Sequence, residues 1–408
     1  HSCWQRKDTK GGSPMRIVRQ LSKFVQKISV GLRASDCRFV GDVLLGVVQR
    51  GSTMLTEIGR ALKEPCKLKH TEKRLSRMAS SKYFDDERLL TNYLSEVGRL
   101  TASKLPYVAV DLTDIAKPSG KTMEGLGLVR DGSSSKKGGS KKAANIVHGY
   151  EVFEATATHP DHHLAVPLMT EPYSTTAAEF KSQNEEIEMR LRYLAPFIAC
   201  TAIWLFDRGF DRRYILNTVM ELGLNWVVRM VGNRNVEFGE GPKRMDVLAK
   251  GLRLRHSVLV HTRTKGSKDI ERKVHFTYIP VHLRDIEGQR GLVVVHMGGR
   301  KRMMLLTWRV PKSSAEAAQW IQAYLRRWSV EDSARACKQL VGIEDVRVQS
   351  LRAIVRLVRL AAIALGWLCL RVLFAPKTVA KILALAKTVG REPLYLVYRL
   401  LEGIRHPA

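Results

Sequence analysis

The spacing of apolar residues predicts a chain that is helical at both ends and contains strands in its middle. Before about Ser103 the apolar residues recur every three to four positions, which is the period of an amphipathic helix. From Leu105 onwards the pattern changes to short β-branched runs, beginning with the strand-like sequence YVAVDLTD at 107–114. Helical periodicity returns at Ser314 and continues to about Leu401.

The amino-terminal helical segments end in a basic face. Three short segments are predicted, and Gly51 interrupts the chain between the first two. The third, which follows Thr71, presents Lys73, Arg74 and Arg77 on its exposed side. This combination is typical of a helix-turn-helix-like DNA-binding module. A plain helical bundle with solvated basic residues would show the same pattern, and both interpretations stay open at this point.

The middle of the chain predicts an α/β layout followed by an antiparallel segment. Strands at 147–158 and 164–170 come in succession, and helices then alternate with strands. The alternating elements are a helix at 177–194, a strand at 201–206, a helix at 212–222 and a strand at 226–230. From Val231 to about Pro311 the apolar runs are typical of strands joined by glycine-rich and charged turns, without a convincing helix.

The net charge of the chain indicates which class of partner it binds. The chain has 68 lysine and arginine residues against 39 aspartate and glutamate residues, which gives a net charge of +29. Such an excess repels itself in a compact protein unless an anionic polymer is nearby, and nucleic acid is the commonest such polymer. A membrane surface is the weaker alternative, because the most apolar stretch, residues 360–370, is about half as long as a bilayer span. We predict that this stretch is a buried helix and that no membrane is a partner.

Composition and cysteine usage indicate an ordinary folded protein of a reducing compartment. Hydrophobic residues make up 45% of the chain, which excludes global disorder. The cysteines are scattered and no two have the spacing of a CxxC motif, so neither a zinc site nor a disulfide framework is predicted. They are Cys3, Cys37, Cys66, Cys200, Cys337 and Cys369.

Two aspartates follow apolar, strand-like runs. Asp111 comes after VAV and Asp207 comes after IWLF. A carboxylate at the end of a buried strand costs desolvation energy unless a cation or hydrogen-bond donors meet it. Either aspartate alone would be typical of a turn. Two of them in an α/β core favour a divalent-metal site, since Mg²⁺ prefers one or two carboxylates together with waters and phosphate oxygens.

A further group of polar residues lies in the helix predicted after Ser314. Tyr324, Arg327, Glu331 and Lys338 follow one another at steps of 3, 4 and 7. On one continuous helix these steps place the four side chains on the same face. A plain ion-pair cluster on a solvated helix is the alternative interpretation.

These residues carry a resemblance to a known family. The motif Y-(2)-R-(3)-E-(6)-K at 324–338, preceded by a strand-borne aspartate and by DRGF at 207–210, resembles the DDE transposases of bacterial insertion sequences, specifically the insertion-sequence-four group. The resemblance covers about Arg33 to Phe374. It rests on the order of the three carboxylates, on the antiparallel segment between the last two, and on the helical amino-terminal part.

The resemblance implies a fold class and a domain order. The class is α/β, with a ribonuclease H-like mixed-sheet catalytic core, an inserted antiparallel β-domain, and helical regions flanking both. The implied segments are a helical DNA-end-binding domain at 16–103, the first part of the core at 104–230, the inserted β-domain at 231–311, the core helix with the catalytic glutamate at 312–345, and a helical pairing or dimerisation region at 346–408. Residues 1–15 are predicted from their polar composition to be a disordered leader.

The resemblance also implies roles for the site residues. Asp111, Asp207 and Glu331 would be the catalytic residues and would hold two Mg²⁺ ions, with Mn²⁺ as a substitute. Arginine and lysine suit phosphate contacts, as a bidentate fork and as a point charge. The residues that would contact DNA are Tyr324, Arg327, Lys338 and Arg208 beside the cut, and Lys73, Arg74 and Arg77 in the amino-terminal domain. For Arg208 a salt bridge is the alternative.

The function implied by the resemblance is DNA transposition. The chain would bind the terminal inverted repeats of its own insertion sequence and perform Mg²⁺-dependent strand cleavage and strand transfer, in the bacterial cytoplasm at the nucleoid. Its partners would be double-stranded DNA, both ends and target, and a second copy of itself in a synaptic homodimer. The alternative is a catalytically silent, transposase-derived DNA-binding protein, which loss of any of the three carboxylates would indicate; all three are present. A metal-dependent nuclease without strand transfer is a third hypothesis.

One departure from the family pattern concerns the second-strand cut. The best-understood relatives carry, on the strand before the glutamate helix, a tryptophan that stacks on a flipped-out base, and Met303 stands at that place here. Methionine lacks the flat face that aromatic stacking uses. Trp308 is nearby, but we predict that it belongs to the core. A hairpin route for the second strand is therefore less well supported than the first-strand cut.

Overall fold

The structure, a computed structural model, describes residues 13–130, 146–161, 164–239, 241–263, 269–299, 301–384 and 396–405. Helices come first, a large mixed sheet follows, and further helices complete the chain. Most of the leader predicted at 1–15 lies outside the described residues. The first helix, α1 (Ser13–Ile28), begins within its last three positions.

The amino-terminal part is helical, as the apolar periodicity predicted. Its elements after α1 are α2 (Ala34–Arg50), α3 (Leu55–Leu62), α4 (Leu68–Ala79), α5 (Asp86–Gly98) and a 3₁₀ turn at Arg99–Ala102. Phe39, Val43 and Val47 on α2 are completely buried, so the predicted apolar face packs into the core. Gly51 ends α2 with φ at 69° and donates its N–H to the Val47 carbonyl, a conformation that glycine adopts without a Cβ clash.

The central sheet is mixed. Its core strands are β1 (Tyr107–Ala116), β2 (Gly127–Arg130), β3 (Ile146–Thr158), β4 (Ala165–Tyr173), β5 (Ile203–Phe206) and β6 (Asn225–Arg229). They lie side by side in the order β4-β3-β1-β5-β6, with β2 pairing to β3. β3 runs antiparallel to β1 and β4, whereas β1, β5 and β6 run parallel. The mixed α/β architecture predicted from the sequence is confirmed.

Two helices make the crossovers that this strand order requires. α6 (Gln183–Leu194) connects β4 with β5, and α7 (Arg213–Glu221) connects the parallel strands β5 and β6. α6 begins later than the predicted position 177, because the Ser182 side chain caps it by accepting the Glu185 N–H at 3.2 Å.

The antiparallel strands continue the same sheet. They are β7 (Asn235–Glu237), β8 (Pro242–Arg244), β9 (His256–Arg263), β10 (Asp269–Leu283), β11 (Ile286–His296) and β12 (Met303–Thr307). β12 pairs antiparallel with β6, which joins this set directly to the core strands. The prediction of no helix in this segment is wrong, because α8 (Met245–Gly251) forms there and buries Met245, Leu248 and Ala249 at helical spacing. The division into a separate inserted domain stays a prediction.

The carboxyl-terminal part is helical. Its elements are α9 (Ser314–Arg326), α10 (Ser329–Gln339), a 3₁₀ turn at Ile343–Asp345, α11 (Leu351–Phe374), α12 (Pro376–Leu383) and α13 (Val397–Arg405). α11 is the one helix of the described residues that is long and apolar enough to span a membrane, and 72% of its most apolar window is buried. It packs against α2 and β4 inside the protein, so residues 360–370 form a buried helix as predicted.

A buried arginine network ties α11 to the amino-terminal helices. Arg356 is 1% exposed and forms a two-point ion pair with Asp86, at the start of α5. Its guanidinium also donates to the carbonyls of Met78, Ala79 and Ser81 at the end of α4. These bonds satisfy both the buried cation and helix-end carbonyls that have no partner inside α4.

We predict that Arg356→Met destabilises the protein by about 3–5 kcal/mol, because the carbonyls of Ala79 and Ser81 lose a donor and Asp86 keeps only Arg359 as a partner. Arg352 lies on the same helix and is exposed, so Arg352→Met is the matched control, with a change within about 0.5 kcal/mol. Urea denaturation followed by circular dichroism measures both variants. Equal midpoints for the two would contradict this account of the network.

Candidate active site

Asp111 and Asp207 lie side by side where two parallel strands stop pairing. The last parallel pair of β1 and β5 is Val110 with Phe206, and each aspartate is the next residue of its chain segment. The prediction that Asp111 ends its strand is wrong in one respect, because β1 continues antiparallel to β3 as far as Ala116. Because the carboxyl ends of parallel strands meet at one edge of a sheet, both carboxylates project into the same crevice.

Asp207 is held by the turn that follows β5. Its side chain accepts the Gly209 N–H at 2.6 Å and so caps the 3₁₀ turn Arg208–Phe210. Phe210 is buried and anchors this turn to the core. The Arg208 side chain is exposed. Its role as a phosphate contact stays a prediction.

Glu331 reaches the same crevice through a break between two helices. α9 ends at Arg326 and α10 begins at Ser329, so the motif residues do not share one helix face as predicted. Arg327, at the break, bonds Asp111 Oδ2 through Nη1 at 3.1 Å and Glu331 Oε1 through Nη2 at 3.2 Å. Its side chain is only 10% exposed. One guanidinium therefore joins the first and third carboxylates.

The carboxylates are incompletely neutralised. Burial raises the pKa of Asp111 to about 6, with the nearby Asp207 and Glu331 adding to the rise and Arg327 opposing it. Burial also raises the pKa of Glu331 above its usual range, again against the effect of Arg327. A site in which one cation faces three acidic groups favours the approach of further positive charge.

Lys338 lies farther along α10 among other carboxylates. Its ammonium is 3.4 Å from Asp114 Oδ2 and 3.0 Å from Glu344 Oε1. Asp114 belongs to strand β1 and not to a turn. Lys338 thus joins α10 to β1 and to the 3₁₀ turn at Ile343–Asp345, and its contact with DNA stays a prediction.

Tyr324 is on the inner side of α9. Its side chain is 5% exposed and packs in a core cluster with Trp320 and Val330. Burial raises the pKa of its phenol, and the adjacent Arg327 offsets part of that rise. A phosphate contact by this hydroxyl stays a prediction, and the structure shows the ring in a packing role.

The three basic residues of α4 are not equivalent. Lys73 and Arg77 are exposed, as predicted. Arg74 was predicted on the same face, but its guanidinium is 2.7 Å from Asp42 Oδ2 on α2 and 3.0 Å from Glu64 Oε1. Arg74 therefore connects α4 to α2 and to the segment between α3 and α4.

Met303 and the tryptophans near the site differ in how exposed their side chains are. Met303 is 8% exposed and packs in the core, so it presents no surface to a ligand. Trp308 packs against Trp320 with ring centroids 4.3 Å apart and ring planes at 42°, in agreement with its predicted core role. Trp328 is 51% exposed and directly follows Arg327. Trp328 was not predicted as a site residue, because one unbroken helix was expected at this place. The available signal was a tryptophan inside the Y-R-E-K motif.

A second residue missed from the sequence is Glu154. It lies on β3 directly opposite Asp111, is fully buried, and neither carboxylate oxygen has a hydrogen-bond partner among the described residues. Burial raises its pKa to about 8. The signal was a single glutamate in the apolar strand sequence VFEATAT, where an unpaired carboxylate is costly.

The donor set fits a hard divalent cation. Asp111, Asp207 and Glu331 offer carboxylate oxygens, the ligands that Mg²⁺ and Mn²⁺ prefer, and a guanidinium already occupies the position between two of them. Among the described residues no group of three or more histidine, cysteine, aspartate or glutamate side chains is arranged closely enough to hold a metal. Cations would therefore compete with Arg327 for the same oxygens.

Comparison with known protein families finds one matching domain. A model of the transposase DDE domain matches residues 108–367, from β1 into α11, and includes all three carboxylates. One similar solved structure is the piggyBac transposase synaptic complex with hairpin DNA, at 11% identity over 96% of this chain and 77% of that chain, with a TM-score of 0.43. No curated protein matches the sequence. Since the matched domain spans well over half of the chain, the protein belongs to the transposases with a DDE domain.

Proposed function

We propose that the protein is an active cut-and-paste transposase of the insertion-sequence-four group, which binds the terminal inverted repeats of its element, cleaves there and transfers the strands. The observation that carries this proposal is that Arg327 joins Asp111 on β1 to Glu331 on α10, while Asp207 at the end of β5 lies next to Asp111. The strand order β4-β3-β1-β5-β6 and its directions support a ribonuclease H-like core.

The chemistry follows from the residues at the sheet edge. Asp111, Asp207 and Glu331 would hold two Mg²⁺ ions, which when bound activate a water or a 3′-hydroxyl and stabilise the leaving oxygen of a phosphodiester. Arg327 holds the carboxylates together, and its planar fork matches a phosphate as well as a carboxylate. Arg208, which is exposed and follows the second aspartate, would bind the DNA backbone.

DNA binding is supported by charge and by its distribution. A net charge of +29 favours a polyanion, and Lys73 and Arg77 expose two of these charges on one helix. The proposed partners are the inverted repeats, target DNA and a second copy of the chain, with the carboxyl-terminal helices serving in pairing. The proposed location is the bacterial nucleoid.

Trp328 adds a proposed base contact. Its indole is exposed and follows Arg327 in the chain, and it would offer a flat face to a nucleotide that leaves the duplex at the cut. Met303, which is buried, does not offer this face. A transposase-derived protein that only binds DNA is the second candidate, and the preserved convergence of the carboxylates argues against it.

For Glu331→Gln we expect cleavage of a terminal-repeat duplex in Mg²⁺ to fall about 100-fold or more, because the change removes a charge that holds a cation. Binding to the same duplex in Ca²⁺, measured by gel shift, should remain, since one like charge near the phosphates is gone. Glu287→Gln changes an exposed carboxylate on β11 and serves as the control, with unchanged cleavage. Parental cleavage by Glu331→Gln would remove Glu331 from the site.

For the double variant Lys73→Ala with Arg77→Ala we expect weaker binding to the repeat and a smaller salt dependence. The slope of log K against log salt should decrease in magnitude by about 2, one unit for each lost phosphate contact. The control is Lys250→Ala with Arg352→Ala, which removes the same charge from other exposed positions. If both double variants have the same slope as each other, α4 is not the DNA-contacting helix.

For Trp328→Ala we expect repeat binding to weaken about 5-fold or more, because one stacked base is worth about 1–3 kcal/mol. A 2-aminopurine at the terminal nucleotide should show a smaller fluorescence change, while Trp328→Phe keeps most of it. Phe374→Ala, which removes another half-exposed aromatic side chain, is the control. Parental affinity and fluorescence in Trp328→Ala would contradict the base contact.

A further inference from the structure

Glu154 is placed by the sheet register directly beside the first catalytic aspartate. In the antiparallel pair of β1 and β3, Asp111 is opposite Glu154. Directly opposed residues of an antiparallel pair point to the same face of the sheet, with Cβ atoms about 4.5–5.5 Å apart. The two carboxyl groups therefore belong to one small region, although 42 residues separate them along the chain.

The described groups around Glu154 provide no hydrogen bond that would stabilise a buried carboxyl group. Its side chain is fully buried, and in the part of the chain that the structure describes neither oxygen has a hydrogen-bond partner. Buried polar groups are normally paired, since an unpaired one loses its hydration and receives nothing in exchange. The other buried acidic residue of this part of the sheet, Glu171 on β4, shows the usual solution, because Arg359 pairs with both of its oxygens at 2.6 and 2.8 Å.

No neighbouring cation of the described residues is assigned to Glu154 by contact. Lys338 is near enough to interact with it electrostatically, but its ammonium is bonded to Asp114 and Glu344. Across β4 the register partner of Glu154 is Thr170, and the thiol of Cys337 faces it from α10. Glu154 is therefore a buried acidic side chain next to Asp111 that has no cation of its own among the described residues.

We propose that Glu154 is a fourth acidic residue of the metal centre, a positioning residue that stands behind Asp111 and strengthens the binding of divalent cations there. The inference rests on the proposed function, because it takes Asp111 as a metal ligand. A cation at Asp111 is attracted by the additional carboxylate, and groups in this position around metal ligands typically contribute 10–100-fold to affinity.

The chain offers a matched control for this proposal. Glu151 lies three residues earlier on β3, and its register partner is Asp114, which Lys338 already binds. Glu151→Gln removes the same charge from the same strand, but beside an aspartate that is not part of the proposed site. Glu154→Gln keeps the size of the side chain and removes only its ability to carry negative charge.

The experiment is isothermal titration calorimetry of Mn²⁺ into the full-length chain without DNA. We expect Glu154→Gln to raise the Mn²⁺ dissociation constant about 10–100-fold and Glu151→Gln to change it less than about 3-fold. Glu154→Asp keeps the charge and should bind more tightly than Glu154→Gln. Thermal melting without Mn²⁺ accompanies each titration, and Glu154→Gln should melt no lower than the parent, since an unpaired buried carboxylate is removed.

A structural role alone would give the opposite pattern, with a lower melting temperature and parental Mn²⁺ affinity for Glu154→Gln, and would overturn the inference. Equal weakening by Glu154→Gln and Glu151→Gln would also overturn it, because the effect would then be general charge. The variant Asp111→Asn distinguishes failure of this inference from failure of the proposed function. If it abolishes Mn²⁺ binding while Glu154→Gln binds like the parent, only this inference fails; if the parent binds no Mn²⁺, the metal part of the proposed function fails with it.

Discussion

The parallel pairing of β1 with β5 is the constraint on which the site depends. The parallel ladder of β1 and β5 ends at Val110 and Phe206. The next residue of each segment, Asp111 or Asp207, therefore lies just beyond the end of this parallel ladder. The backbone pairing therefore fixes how far apart the Cα atoms of the two aspartates lie, whichever rotamers their side chains adopt. Antiparallel pairing of the same strand with β3 adds Glu154 from the other side. Three acidic positions thus follow from the register of one strand.

The third carboxylate of the proposed catalytic set depends on a different interaction. Glu331 lies on α10, and Arg327 at the break before α10 bonds both Glu331 and Asp111. Without a cation, helix and strand would bring like charges together at a cost that burial increases. The arginine resolves that conflict in the protein alone. Its bonds occupy oxygens that the proposed metal ions need, so the same residue both assembles the site and competes for it.

The arrangement of the helices around the core relies on buried arginines in a similar way. Arg356 joins α11 to the ends of α4 and the start of α5, and Arg359 joins α11 to Glu171 on β4. Each ion pair connects elements that are far apart in the chain. A strongly basic protein therefore uses part of its positive charge internally, as Arg74 also shows, and only the remainder, including Lys73 and Arg77, is available to a polyanion.

The sequence by itself determined most of the helical and strand segments and the mixed α/β class, because apolar periodicity decides these. The resemblance to a known family, and not periodicity, selected the three carboxylates. The sequence did not determine that β1 continues past Asp111, that the helix breaks at Arg327, or that Arg74 is bonded inward. Those features depend on partners distant in sequence: Phe153 to Gly149 on β3, Asp111 across the crevice, and Asp42 and Glu64 on neighbouring segments. Glu154 is the clearest case, since only strand register places it beside Asp111, and register is set by long-range pairing that local periodicity does not contain.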